Sequence, residues 1–210
     1  MIRNKKELKF YIEADMIMNR GCSNFCLKKR LFNLIVPDYI MNFLIIMRKY
    51  SYYKNLTDLH SKILSIYYHY RYRKLSLKLG FSFAPDIFGY GLLIPHYGTI
   101  VVNHTTKAGN YCVLHNGTCI AGEDKIIGDG LYLSTGAKIT GTGVYGNGVT
   151  IAANSVANKS VGDNILLAGI PAVIKREKYP IWYNRDSKIF KERVERVEIL
   201  RKKLLTEVGC

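Results

Sequence analysis

Between residues 102 and 157 the positions able to pack inside recur every six residues. Val102, Ala108, Leu114 and Ile120 open the series, and after one inserted residue it resumes at Ile127, Leu133, Ile139, Tyr145, Ile151 and Ala157. The residue after most anchors is small or turn-forming: Asn103, Gly109, Ala121, Gly128, Ser134, Thr140, Gly146, Ala152 and Asn158. Four residues after most anchors come mainly small, uncharged side chains such as Thr106, Cys112, Thr118, Ala137, Gly143 and Ser155. A period of six fits neither a 3.6-residue helix nor an alternating strand, so each hexad reads as a short strand and a corner, where glycine and asparagine supply the needed dihedrals. Three hexads close one triangular coil, and stacked coils make a hexapeptide parallel β-helix. A β-sandwich rich in glycine turns fits less well, because its turn signals come at roughly 8 to 12 residues without a fixed register.

Helical patterns flank this array. "SKILSIYYHYRYRKLSLKLG" reads as a helix ending at Gly80, "VPDYIMNFLIIMRKY" as one opening at Pro37, and "KKELKFYIEADMIM" as a third. Phe190, Val194, Val197, Leu200 and Leu204 repeat at helical spacing amid charges, which predicts an amphipathic helix packed on the body or on a neighbouring subunit. The expected division is a helical region over 1–79, a β-helix over 80–174 and a helical tail over 175–210.

The charge distribution follows the same division. Of 31 Lys and Arg, 16 lie in residues 1–78 and 11 in residues 173–210, against 5 and 6 acidic residues; residues 79–172 hold 4 basic and 5 acidic residues but 16 of the 18 glycines. Neutral coils are expected, since like charges stacked in register would repel. The basic N-terminal part carries no nucleic-acid recognition motif, so no nucleic-acid partner is expected and the region reads as a solvated basic face with aromatic packing; such a face also suits anionic membrane surfaces or lipid-linked phosphates. Apolar runs are too short for a span of roughly 20 residues, and the charged N-terminus does not read as a signal peptide, so a cytoplasmic location is expected. Cys22, Cys26, Cys112, Cys119 and Cys210 form an odd, scattered set read as free thiols, with no second pair to complete a zinc site.

The stretch "GLLIPHYGTIVVN" holds the main candidate for chemistry. Stepping back six from Val102 lands on His96, where later coils place aliphatic anchors. Burying the ring there as mere packing would bring no gain. Either the register shifts at this first coil or the ring turns toward a cleft.

The hexad array, the "LLAGIPAVI" segment from Leu166 to Ile174 with its AG-x-PA pattern, and "PHYGTIVVN" after a helical region carry a resemblance. The chain resembles the hexapeptide acyltransferases, and more narrowly the serine acetyltransferases and their relatives in capsule and surface-polysaccharide clusters, over roughly residues 78–176. The resemblance implies a left-handed β-helix that forms a homotrimer, with acetyl-CoA lying between coils of adjacent subunits. It also implies that His96 is the general base: a hydroxyl is a poor nucleophile at neutral pH and needs a positioned base, with backbone amides holding the oxyanion. By hexad alignment Gly122, Thr135 and Ala153 fall where small residues admit the pantetheine arm. Lys159, Lys175 and Arg176 are candidates for the CoA phosphates, or else solvated basic residues around the last coil. His115 lies 19 residues after His96, close to one coil of 18, and with Asn116 is either an acceptor contact or a polar corner residue. His104 is expected at the surface, and no metal is expected, since these histidines lack the spacing of the zinc-binding hexapeptide carbonic anhydrases.

Three departures bear on the acceptor. Phe81 stands 15 residues before His96, and Pro95 directly before it, where the serine enzymes have aspartates; the short "AGEDKIIG" lacks their Arg-His pair. The expected activity is therefore acetyl-CoA-dependent O-acetylation of a sugar hydroxyl in surface or capsular polysaccharide synthesis. The alternatives are L-serine O-acetylation in cysteine biosynthesis and a non-catalytic β-helix trimer acting as a scaffold.

Overall fold

The structure is a computed structural model that describes residues 2–24, 32–33 and 35–206. Helix α1 (Lys5–Arg20) starts at Asn4, whose side chain accepts from the Glu7 amide, and stops at Gly21 in the left-handed region. Helix α2 (Tyr39–Tyr53) is capped by Asp38, which accepts from the Met41 amide. Pro37 thus lies just outside the helix it was expected to open, because the Asp38 carboxylate satisfies an otherwise orphan amide. Helix α3 (Leu59–Leu79) runs from the Asp58 cap to Gly80 at φ 78°.

Thirteen short strands follow: β1 (Phe81–Ser82), β2 (Ile100–Val102), β3 (Lys107–Ala108), β4 (Val113–Leu114), β5 (Thr118–Ile120), β6 (Ile126–Ile127), β7 (Tyr132–Leu133), β8 (Lys138–Ile139), β9 (Val144–Tyr145), β10 (Thr150–Ile151), β11 (Val156–Ala157), β12 (Leu166–Gly169) and β13 (Ala172–Arg176). They form three faces of a parallel β-helix, ordered β1-β2-β5-β8-β11, β3-β6-β9 and β4-β7-β10-β12-β13, with only the final β12–β13 hairpin antiparallel. The hexad anchors stack as read from the sequence: Val102, Ile120, Ile139 and Ala157 on the first face, Ala108, Ile127 and Tyr145 on the second, Leu114, Leu133 and Ile151 on the third. A second inward row is buried beside them, with Cys112, Leu131, Val149 and Ile165 on the third face. The array extends past the hexads in both directions, to bridges from Phe88 and Leu93 onto Ala108 and Val113 and to Leu167 beyond Ile151.

One corner shows why its sequence is Gly followed by Asn or Asp. The Asn110, Asp129, Asn147 and Asp163 side chains each accept the backbone N–H of the residue one coil earlier, at 3.1, 2.8, 2.9 and 2.7 Å. A Cβ at Gly109 or Gly146 would sit 2.1 or 2.3 Å from the Asp129 or Asp163 carboxylate oxygen, so the preceding position must lack one.

The helices close the first end of the β-helix. Arg48 of α2, 1% exposed, donates to both oxygens of Asp15 on α1 and to the carbonyls of Phe88 (2.8 Å) and Gly89 (2.6 Å). Asp15 accepts the Leu92 amide (3.0 Å), while Asn19 pairs with the Leu92 carbonyl (2.7 Å) and the Ile94 amide (3.1 Å). Burial pushes the Asp15 carboxyl up, opposed by Arg48 and the backbone amides. The backbone of segment 88–94 thus finds the partners that a further coil would otherwise supply.

After β13 the chain returns along the third face as α4 (Trp182–Arg185), α5 (Lys188–Arg201) and a π-helical turn (Lys202–Thr206). The amphipathic helix expected at the C-terminus packs on the body: Val197 is fully buried, and Arg193 and Arg196 donate to the carbonyls of Met18 on α1 and of Gly21, which caps it. Cys22, Cys112 and Cys119 are free thiols; Cys26 and Cys210 lie outside the described residues.

Arg48→Met should lower stability by about 3–5 kcal/mol, because it strands a buried carboxylate. Arg48→Met/Asp15→Leu should recover part of that loss. Denaturant unfolding of the wild type and both variants measures this.

Candidate active site at the first coil corner

The corner that carries His96 is longer than those stacked against it. Six residues lie between Leu93 and Ile100, whereas four lie between their partners Val113 and Thr118. The two extra residues push "PHYG" outward: Ile94 and Ile100 fill the interior at 0% exposure, and His96 and Tyr97 are exposed. The interior place reached by stepping back six from Val102 is therefore not taken by His96. Gly98 completes the bulge at φ 127°, where a Cβ would meet the Asn116 Cβ at 3.1 Å.

His115, half-buried just after β4, faces His96 with ring centroids 6.3 Å apart. Its Nε2 lies 3.0 Å from the Tyr132 hydroxyl. Val113, Tyr132 and Thr150 are successive rungs of one ladder, and Arg185 of α4 covers it, 5.4 Å over the Tyr132 ring and bonded to Thr150 Oγ1 at 3.0 Å. Arg185 also pairs with Asp186. A continuous line of polar and aromatic contacts thus runs from His96 along the coil axis to the C-terminal segment. Burial, then the charge of His96, pushes the His115 pKa down, with Asp186 opposing; burial pushes Tyr132 up. His115 therefore resists charging beside a protonated His96.

Tyr132, Arg185 and Asp186 were not among the residues singled out from sequence. Tyr132 sits one position before the anchor Leu133, so the hexad register marks it as outward-facing, and its 17-residue separation from His115 fits one coil. Arg185 and Asp186 come from outside the repeat and leave no signal in its periodicity.

The other candidates fall into three places. Asn116, Thr135 and Ala153 lie on the corner column of His96: Asn116 accepts from Gly136, Thr135 from Asn154, and the Thr135 hydroxyl lies 3.3 Å from Asn116 Oδ1. Gly122 and Lys159 lie on the next corner, between the first and second faces. Gly122 has a structural need for its missing Cβ, which would sit 2.5 Å from the Gly141 carbonyl oxygen. Lys159 lines a cleft of about 350 Å³ between the last coil and residues 171–174, and exposed Lys175 and Arg176 continue the strand that walls it. His104 is exposed. Among the described residues no group of three His, Cys, Asp or Glu is placed to hold a metal ion.

No family model matches the chain. The serine acetyltransferase of Synechococcus elongatus is 30% identical over 90 residues, 40% of this chain and 37% of that protein. WbbJ of Escherichia coli K12, named for O-acetyl transfer in lipopolysaccharide biosynthesis, is 31% identical over 67 residues, 32% of each chain. The chain spans less than half the length of the curated relatives it matches. Among solved structures, the serine acetyltransferase of Brucella abortus in complex with coenzyme A superposes with a TM-score of 0.57 at 23% identity, over 81% of this chain and 66% of that one. The chain resembles the hexapeptide-repeat acyltransferases in sequence and in fold. The likeness to the solved acetyltransferases is one of fold: helices leading into a parallel β-helix.

In an NMR titration the His115 imidazole should protonate below the ordinary histidine range, and in His96→Ala its midpoint should rise part of the way back. A folded-state value below the unfolded one means that the stability His115 contributes is present above the ordinary histidine pKa and is lost as pH falls through the folded value.

Proposed function

We propose that the chain is an acetyl-CoA-dependent O-acetyltransferase, with His96 as general base and a sugar hydroxyl of a surface-glycan precursor as acceptor. The observation that carries the proposal is the outward bulge that exposes His96 on a β-helix of the acetyltransferase type, backed by a second histidine that resists protonation. Acetyl-CoA supplies an acyl group already activated as a thioester. A ring nitrogen of His96 removes the acceptor's hydroxyl proton as the oxygen attacks the acetyl carbon, then returns it to the departing thiolate. The His115 ring, tied to Tyr132, fixes one wall of the site without adding a second positive charge.

The separation of candidate residues between two corners supports a homotrimer. A neighbouring copy could set its Gly122–Lys159 corner against the His96 corner of the first, enclosing acetyl-CoA with Thr135 and Ala153, while Lys159, Lys175 and Arg176 meet the phosphates. The outward row of the second face agrees with such packing, since Ile126 and Val144 are 56% and 52% exposed.

For the acceptor, the cleft beside the bulge favours an uncharged ring. It holds about 390 Å³ and is lined by Pro37, Asp38, Tyr39, Ile40, Lys78, Leu79 and Tyr97. Its charges are engaged: Asp38 with Arg20, and Lys78 over the Tyr39 ring at 3.6 Å. Phe81 is buried against Phe43 and Phe83, and Pro95 brings no charge, so serine's ammonium and carboxylate lack counter-charges at both positions. L-serine is the second reading, favoured by the names of the curated relatives.

Release of CoA thiol from acetyl-CoA, followed with a panel of sugars and with L-serine, tests the reading. Turnover is expected with a sugar and a fall of about 10²–10⁴-fold in His96→Ala, with assembly unchanged in light scattering. Turnover with serine alone would overturn the acceptor, and a folded protein that binds no CoA would overturn the activity.

A further inference from the structure

Helix α3 carries two apolar faces on opposite sides. One packs inward: Tyr72 and Leu79 are buried, the Tyr72 ring stacks on Phe43 at 5.4 Å, and Tyr68 stacks on Tyr53. The other is open. Leu59, Ile63, Ile66, Tyr70 and Leu77 follow one another at spacings of 4, 3, 4 and 7 residues, so they form a single stripe, and they are 76%, 58%, 72%, 64% and 81% exposed. At the 1.5 Å rise of a helix this stripe is about 27 Å long. A row of large aliphatic side chains so fully in water exceeds the scattered exposure ordinary for a surface.

The charges beside the stripe are of one sign. Lys62 and Arg73 flank one edge, Lys74 and Arg71 the other, all exposed, and no Asp or Glu occurs from residue 59 to residue 85. Tyr70 lies within it and Tyr67 beside the edge that Lys74 and Arg71 flank, both exposed aromatic bodies with polar tips that suit a boundary between water and hydrocarbon. No helix among the described residues is long and apolar enough to cross a membrane.

We propose that the open face of α3 docks flat on an anionic lipid surface, with Leu59, Ile63, Ile66 and Leu77 entering the acyl boundary and the flanking cations meeting lipid headgroups. Charge decides the occupant. A second copy of α3 would set Lys62, Arg71, Arg73 and Lys74 against the same residues with no carboxylate on that helix to offset them. A bilayer bearing anionic headgroups instead offers hydrocarbon under the stripe and negative charge along both edges. The inference does not depend on acetyl transfer.

Flotation of the full chain with phosphatidylcholine vesicles, with and without phosphatidylglycerol, tests it. Binding should require phosphatidylglycerol, weaken as salt shortens the range of the charges, and fall by about tenfold or more in Ile66→Glu/Leu77→Glu. Circular dichroism and thermal unfolding establish that this variant folds; Arg73→Gln/Lys74→Gln, which leaves the stripe intact, should weaken binding by itself. No binding, equal binding to neutral vesicles, or binding indifferent to both variants would overturn the proposal. So would sedimentation showing that the Glu variant splits a larger assembly while vesicle binding persists, which would assign the stripe to a second copy.

Discussion

The buried pairing of Arg48 with Asp15 is the interaction on which the rest of the structure depends. A β-helix has an open first coil, and its backbone groups on that side have no next coil to bond. Here α1 and α2 supply the missing partners through Arg48, Asp15 and Asn19, which between them meet Phe88, Gly89, Leu92 and Ile94. Taking two charges out of water is costly, and the arrangement holds because each is met by the other and by backbone dipoles. The helices are thus the lid of the coil stack, and one apolar core runs from α2 and α3 through to Leu167.

The same clamp sets the geometry of the candidate site. With Leu92 and Ile94 held from below and Ile100 fixed in its ladder, the two extra residues of the first corner can only loop outward, and they take His96 with them. From the opposite end of the chain, the Trp182 indole donates to the Tyr111 carbonyl and Arg185 lies over Tyr132. His115 is thereby fixed through Tyr132. The first and last helices also grip each other through Arg193 and Arg196, so both termini brace one corner of the coil.

Much of this was legible in the sequence because the β-helix is quasi-one-dimensional. Each anchor meets its neighbours one coil away, so a fixed period in the chain becomes a fixed stack in space, and the ten anchors fall on their expected faces. The bulge at His96 was legible only as a choice between a shifted register and an outward ring, and both hold together: the shift is what turns the ring out. Arg48 with Asp15, and Arg185 with Tyr132 and Thr150, left no trace in any periodicity, since they act between segments far apart in sequence. The open face of α3 was hidden for a related reason: apolar residues on opposite sides cancel the one-sided pattern by which an amphipathic helix is recognised.

A crystal structure of the chain with CoA bound tests the central claim most directly. The account predicts the CoA thiol at the exposed corner, its sulfur within about 4 Å of the His96 ring, with the small side chains of Thr135 and Ala153 along the pantetheine arm. CoA bound at a different corner, with the His96 ring remote from the sulfur, would contradict it.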